Sequence, residues 1–112
     1  MRFYLENHKT QITGRNTIMK NYCGETIAAN YFRGMESVGG KLSFDETGMT
    51  FKSHAFNIQR GETRIEYAEI DRAATRGIIP PNISVFTKDG FEHKFVVYHR
   101  KEVVAYLESK KY

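Results

Sequence analysis

Asn82-Ile83-Ser84-Val85-Phe86-Thr87-Lys88-Asp89-Gly90-Phe91-Glu92-His93-Lys94-Phe95-Val96-Val97-Tyr98 is the stretch that decides the fold class. Ile83 and Val85 alternate with Ser84, and beyond Asp89-Gly90 the apolar Phe91, Phe95 and Val97 alternate with Glu92 and Lys94. Alternation on both sides of a turn dipeptide marks a β-hairpin. Two registers compete. A two-residue loop at Asp89-Gly90 pairs Lys88 with Phe91 and sets Val85 opposite Lys94. A three-residue loop, Lys88-Asp89-Gly90, pairs Thr87 with Phe91, Val85 with His93 and Ile83 with Phe95. A slip of one residue turns every side chain over, and the second solution keeps the apolar faces together. It also puts Gly90 at the left-handed position of a type I turn followed by a bulge. The spacing therefore predicts the three-residue loop.

The same logic works upstream. In Lys41–Ser53 a loop at Asp45-Glu46-Thr47-Gly48 pairs Phe44 with Met49 and Leu42 with Phe51, leaving Ser43, Thr50 and Lys52 on the solvent face. Thr63–Tyr67 alternates Ile65 and Tyr67 with Arg64 and Glu66. Arg72–Ile79 reads as extended and stops at Pro80-Pro81, which cannot continue a paired strand. Glu25–Arg33 reads as a further strand. Turn signals spaced by about 8–12 residues favour a mainly β antiparallel sandwich or small barrel of about six or seven strands.

The ending changes period. From Arg100 to Lys111 the apolar Val103, Val104, Tyr106 and Leu107 fall within one arc of a helix, with Lys101, Glu102, Glu108 and Ser109 opposite. Lys110 and Lys111 complement the dipole of the last turn. Few cations flank the stripe, so it is expected to pack on the sheet and not on a membrane surface. The expected core is Leu42, Phe44, Met49, Phe51, Phe56, Ile65, Ile83, Val85, Phe95, Val97, Val104 and Leu107.

Composition bounds the rest. A chain of 112 residues, 40% hydrophobic and 27% charged, suits one small globular domain. No apolar run approaches the roughly 20 residues that span a bilayer. Met1–Asn7 lacks the apolar stretch of a signal peptide, and the single Cys23 excludes an internal disulfide. A cytoplasmic protein without a transmembrane segment is expected, either free or peripheral to the membrane. Residues 1–22 form an arm to which the pattern assigns no element, and 23–112 form the domain. The net charge of +4 is scattered, because Arg60, Arg64, Arg72 and Arg76 share their stretch with Glu62, Glu66, Glu69 and Asp71. No signature of a nucleic-acid-binding module is present.

Catalytic and metal motifs are lacking in the sequence. His8, His54, His93 and His99 show no metal-ligand spacing, and the hairpin register places His93 opposite Val85 near a barrel rim. Cys23, beside Tyr22 in the arm, makes a poor nucleophile. Gly39-Gly40 is followed by a strand where a phosphate loop needs a helix N-terminus. Those glycines read as a sharp strand start or a close backbone approach. A non-enzyme without cofactor or metal is expected.

Several runs taken together resemble a known family. They are Ala29-Asn30-Tyr31-Phe32-Arg33-Gly34, Glu36, Val38-Gly39-Gly40-Lys41-Leu42, Phe51-Lys52-Ser53-His54, Phe56-Asn57, Thr87-Lys88-Asp89-Gly90 and Phe95-Val96-Val97-Tyr98. In this order and spacing they resemble GRAM domains, relatives of the pleckstrin-homology fold, over about Glu25 to Lys110. The resemblance implies a bent antiparallel barrel plugged at one end by a C-terminal helix. It also implies association with membranes through lipid headgroups or through protein contacts. The matching first inter-strand loop, Arg33 to Lys41, departs from the headgroup-binding pattern, since it holds two cations with Glu36 between them. For an anionic headgroup the candidates are Arg33, Lys41, Lys52 and His54.

Phe86, Val96 and Tyr98 are apolar on the outward side of the hairpin and need a cover. The arm (Phe3, Leu5, Ile12, Ile18, Met19, Tyr22), a second copy or a partner would supply it. The expected function is a non-catalytic binding module for protein–protein interaction or self-association, with anionic lipid binding as the alternative.

Overall fold

A computed structural model describes residues 3–4, 10–12, 18–54, 62–77 and 80–111. Three short antiparallel strands, β1 (Phe3–Tyr4), β2 (Thr10–Ile12) and β3 (Ile18–Lys20), form a small sheet within the arm. The main sheet has seven strands: β4 (Thr26–Arg33), β5 (Glu36–Phe44), β6 (Gly48–Ser53), β7 (Glu62–Glu66), β8 (Ile70–Arg76), β9 (Asn82–Thr87) and β10 (Glu92–Val97). Its order is β7-β6-β5-β4-β10-β9-β8, antiparallel throughout and curled into a half-barrel. One helix, α1 (Arg100–Lys110), follows.

Turn chemistry sets the registers. At the β9–β10 turn Val85 lies opposite His93 and Ile83 opposite Phe95, and the Thr87 N–H donates to the Phe91 carbonyl at 2.9 Å. Gly90 sits at φ 91°, so the three-residue loop is the one adopted. At the β5–β6 turn Phe44 faces Met49 and Leu42 faces Phe51, as predicted. Asp45 Oδ1 accepts the N–H groups of Thr47 and Gly48 at 2.9 and 3.0 Å.

The segment from Arg33 to Lys41 differs from the expected loop. Arg33 pairs with Glu36, leaving Gly34-Met35 as a two-residue turn, and β5 begins at once. Gly34 has φ 63° while Met35 does not, the sign pattern of a type II′ turn. The inward alternation Val38, Gly40, Leu42 is hidden in the sequence because a glycine holds one of its three places. Gly39-Gly40 is accordingly mid-strand and not a strand start. A Cβ on Gly40 would overlap the Lys52 carbonyl and the Phe51 ring, so close backbone approach is its role.

A 3-10 turn at Tyr67–Glu69 rounds the corner between β7 and β8, with the Glu66 N–H donating to the Glu69 carboxylate at 3.1 Å. Ten of the twelve residues in the expected core are buried; of the other two, Val104 is partly buried, and Phe56 lies outside the described residues. Tyr22, Tyr31 and Ile70 join the core unannounced, while Val103 and Tyr106 enter it from the predicted helical arc and Tyr67 from the predicted alternation at Thr63–Tyr67. Tyr22, one of the arm residues offered as a possible cover for the outer hairpin face, belongs instead to the domain's interior. Its ring packs on Phe44 and Tyr106 at 5.3 and 5.6 Å.

The helix closes one end of the half-barrel with Val103, Tyr106 and Leu107. Tyr67 Oη donates to the Asp45 carbonyl and lies against Tyr106 Oη, both at 2.8 Å. The helix also covers the edge of β8. The Ala73 N–H donates to Glu108 Oε2 at 2.7 Å, and Arg100 Nη1 donates to the carbonyls of Arg76 and Gly77. An exposed strand edge invites wrong pairing, and this one is blocked by the chain's own C-terminus. No helix among the described residues is long and apolar enough to cross a membrane.

Candidate functional site

The four cation-site candidates separate by strand parity. Lys41 and Lys52 are directly opposed on the outer face of β5 and β6, both exposed. His54 continues that face, and its N–H donates to the Gly39 carbonyl at 3.0 Å. Arg33 shares the inward parity of Ala29 and Tyr31, and its guanidinium carbon lies 5.8 Å from the Tyr31 ring at the barrel mouth. Three of the four candidates come together and Arg33 does not. Like charges directly opposed repel, and Glu62 on β7, the partner of Lys52, offsets part of that.

The outer hairpin residues are also split. Phe86 is half-buried, with the Arg72 and Arg76 guanidinium carbons 3.9 and 5.6 Å from its ring. Its cover comes from the neighbouring strand. Val96 is half-buried, whereas Tyr98 is 80% exposed.

A cleft opens where neither set was placed. Between the 3-10 corner and the β9–β10 turn lies a space of about 600 Å³, lined by Arg64, Ala68, Glu69, Lys88, Phe91 and His93. Phe91 is 54% exposed and also borders a second hollow at the mouth, about 410 Å³, beside Tyr31, Arg33, Thr63 and Lys94. Among the described residues β7 pairs with β6 alone, so the strand that carries Arg64 into the cleft ends the sheet.

The walls are fixed by hydrogen bonds. Arg64 grips both Asp45 oxygens at 2.6 and 3.1 Å and reaches Glu66 at 2.6 Å and Thr47 at 2.7 Å. Hydrogen bonding to Arg64 holds the Asp45 carboxyl well below the usual range, and the same pairing raises the guanidinium. The Arg64 charge is thus spent on the wall and adds little field to the cleft. His93 Nδ1 lies 2.8 Å from Tyr31 Oη, and its ring contacts Phe91 at 4.6 Å. Burial pushes the His93 imidazole down, with Asp89 and Glu69 pulling the other way, and burial raises the Tyr31 hydroxyl. Both groups are therefore neutral near pH 7, suited to hydrogen bonding inside an aromatic cluster. The sequence placed His93 near the rim but did not mark Phe91 as part of a site; an aromatic directly after Gly90, where a turn flank is ordinarily polar, was the available signal.

No family model matches this chain, and no curated protein does. Among solved structures the chain is similar to the C-terminal domain of an unknown protein from Leishmania infantum, with 18% identity and a TM-score of 0.65. The match covers 77% of this chain and 80% of that one. At that identity the likeness concerns the fold alone.

Proposed function

We propose that this chain is a non-catalytic binding module of the GRAM and pleckstrin-homology type, and that it holds a segment of a partner protein in the cleft beside Phe91. The strand order supports the first part: a four-strand meander and a three-strand meander joined through β4 and β10, with a helix over the β8 edge, suit the fold that the resemblance implies. One observation carries the second part, the half-exposed Phe91 beside a cleft of about 600 Å³ at the terminal strand β7. Clefts of roughly 300–1,000 Å³ are the usual size of ligand sites. Exposed aromatics at such places serve as anchors, and a terminal strand accepts an extended segment as an added strand. The cytoplasm is the proposed location.

The test is selection of peptides from a displayed random library on the folded chain. Peptides recovered on the wild type should lose binding to Phe91→Asp by at least about tenfold, a loss of about 1.4 kcal/mol. They should keep it on Lys41→Glu/Lys52→Glu. Retained binding on Phe91→Asp would defeat the cleft.

The directly opposed Lys41 and Lys52 favour a second reading, anionic headgroup binding on that face with His54. It requires salt-sensitive sedimentation with phosphatidylserine vesicles that Lys41→Glu/Lys52→Glu abolishes and Phe91→Asp leaves intact.

A further inference from the structure

The outer face of β8, β9 and β10 carries two guanidiniums on one aromatic ring. Arg72 and Phe86 are opposed across the β8–β9 ladder, with the Arg72 guanidinium carbon 3.9 Å from the ring centroid. Arg76 lies four residues further along β8, roughly 13 Å by strand geometry. Its guanidinium nonetheless returns to the same ring, at 5.6 Å. Both arginines are exposed. A guanidinium resting on a ring keeps its N–H edges free, and its plane is set before any ligand arrives.

Two nearby carboxylates, Glu92 and Glu108, are already engaged, and Asp71 stands exposed at the bulge before Arg72. Glu92, opposite Phe86, accepts the Ser84 hydroxyl at 2.6 Å. Glu108 feels the Arg72 charge but accepts the Ala73 N–H at 2.7 Å and pairs with Lys111 at 2.9 Å. Among the described residues neither Arg72 nor Arg76 forms an ion pair. Lys94, opposite Ser84, adds a third cation to the face.

We propose that this ring-mounted arginine pair docks an acidic segment of a partner protein, each guanidinium taking a carboxylate in a forked hydrogen bond. Charge complementarity selects that partner, since Arg72, Arg76 and Lys94 point outward with Glu92 the acid among them. Arg72 and Arg76 do not line the cleft beside Phe91, and the proposal does not depend on what that cleft holds.

The experiment is fluorescence anisotropy of a labelled hexaglutamate peptide titrated with the full chain at low and moderate salt. Arg72→Gln/Arg76→Gln should weaken binding by about tenfold or more, the scale of losing charge-assisted bonds. Lys41→Gln/Lys52→Gln removes the same charge from another face and should change binding by less than about twofold. Phe86→Leu keeps apolar bulk but removes the ring, and should weaken binding with both arginines present. Thermal midpoints verify folding, and the single Arg76→Gln serves if the double variant unfolds. Equal losses in both double variants would reduce the effect to net charge and overturn the proposal. So would a wild type that ignores the peptide, or one that binds phosphatidylserine vesicles through these arginines without displacement by the peptide.

Discussion

Gly40 and Gly39 show how differently two adjacent, identical residues are used. Gly40 faces inward, where a Cβ would overlap the Lys52 carbonyl and the Phe51 ring, while a Cβ on Gly39 meets Asn30 Oδ1 at 3.4 Å and the His54 ring at 3.9 Å, both side-chain atoms at ordinary contact. Gly40→Ala should cost roughly 1–3 kcal/mol by overpacking, and Gly39→Ala should stay within about 0.5 kcal/mol; urea denaturation of the two variants decides. The sequence could point to close approach at the pair but not to which member, because that follows from the register with β6. His93 offers a pH prediction at the same scale. Its folded pKa is depressed by burial, so its contribution to stability is present above the ordinary value of about 6.5 and is lost as pH falls toward the folded value. The denaturation midpoint of the wild type should drop more between pH 7.5 and 5 than that of His93→Gln. Parallel pH dependences would show that the imidazole is not desolvated.

Helix α1 is the element on which the closed end depends. Leu107 is fully buried, and Leu107→Ala should cost roughly 2–5 kcal/mol. In a small domain that is a large share of the net stability. An unchanged midpoint would mean that the helix stands off the sheet. The apolar arc of this helix and both predicted hairpin registers were legible because each rests on local periodicity and turn chemistry. The hydroxyl contact between Tyr67 and Tyr106 was not, since it joins residues 39 apart in sequence. Glu108, read from the sequence as a solvent-side residue, instead accepts a β8 N–H, a role that exists only once the helix lies along that edge. The 3-10 corner at Tyr67–Glu69 was missed for a similar reason. Buried Tyr67 continues the alternation of Ile65, so the strand reads on into the corner, whose turn shows only once the chain reverses into β8 at Ile70.

For the whole molecule, the return of β10 to pair with β4 is what curls the sheet and places Phe91, His93 and Tyr31 around one opening. The strand count and the terminal helix were readable from the chain, but the site was not. Arg33 and Lys41 lie eight residues apart in sequence, yet strand parity sends them to opposite faces, so a grouping of cations along the chain did not become a cluster in space. The cleft arises from the opposite effect, joining residues of β7, the 3-10 corner and the β9–β10 turn that are separated in the chain. The most direct test of the binding account is amide chemical-shift mapping of the folded chain with a peptide selected on it. The account predicts shifts concentrated at Arg64, Glu69, Lys88 and Phe91, absent in Phe91→Asp. Shifts centred on Lys41, Lys52 and His54, with the cleft amides unmoved, would contradict it.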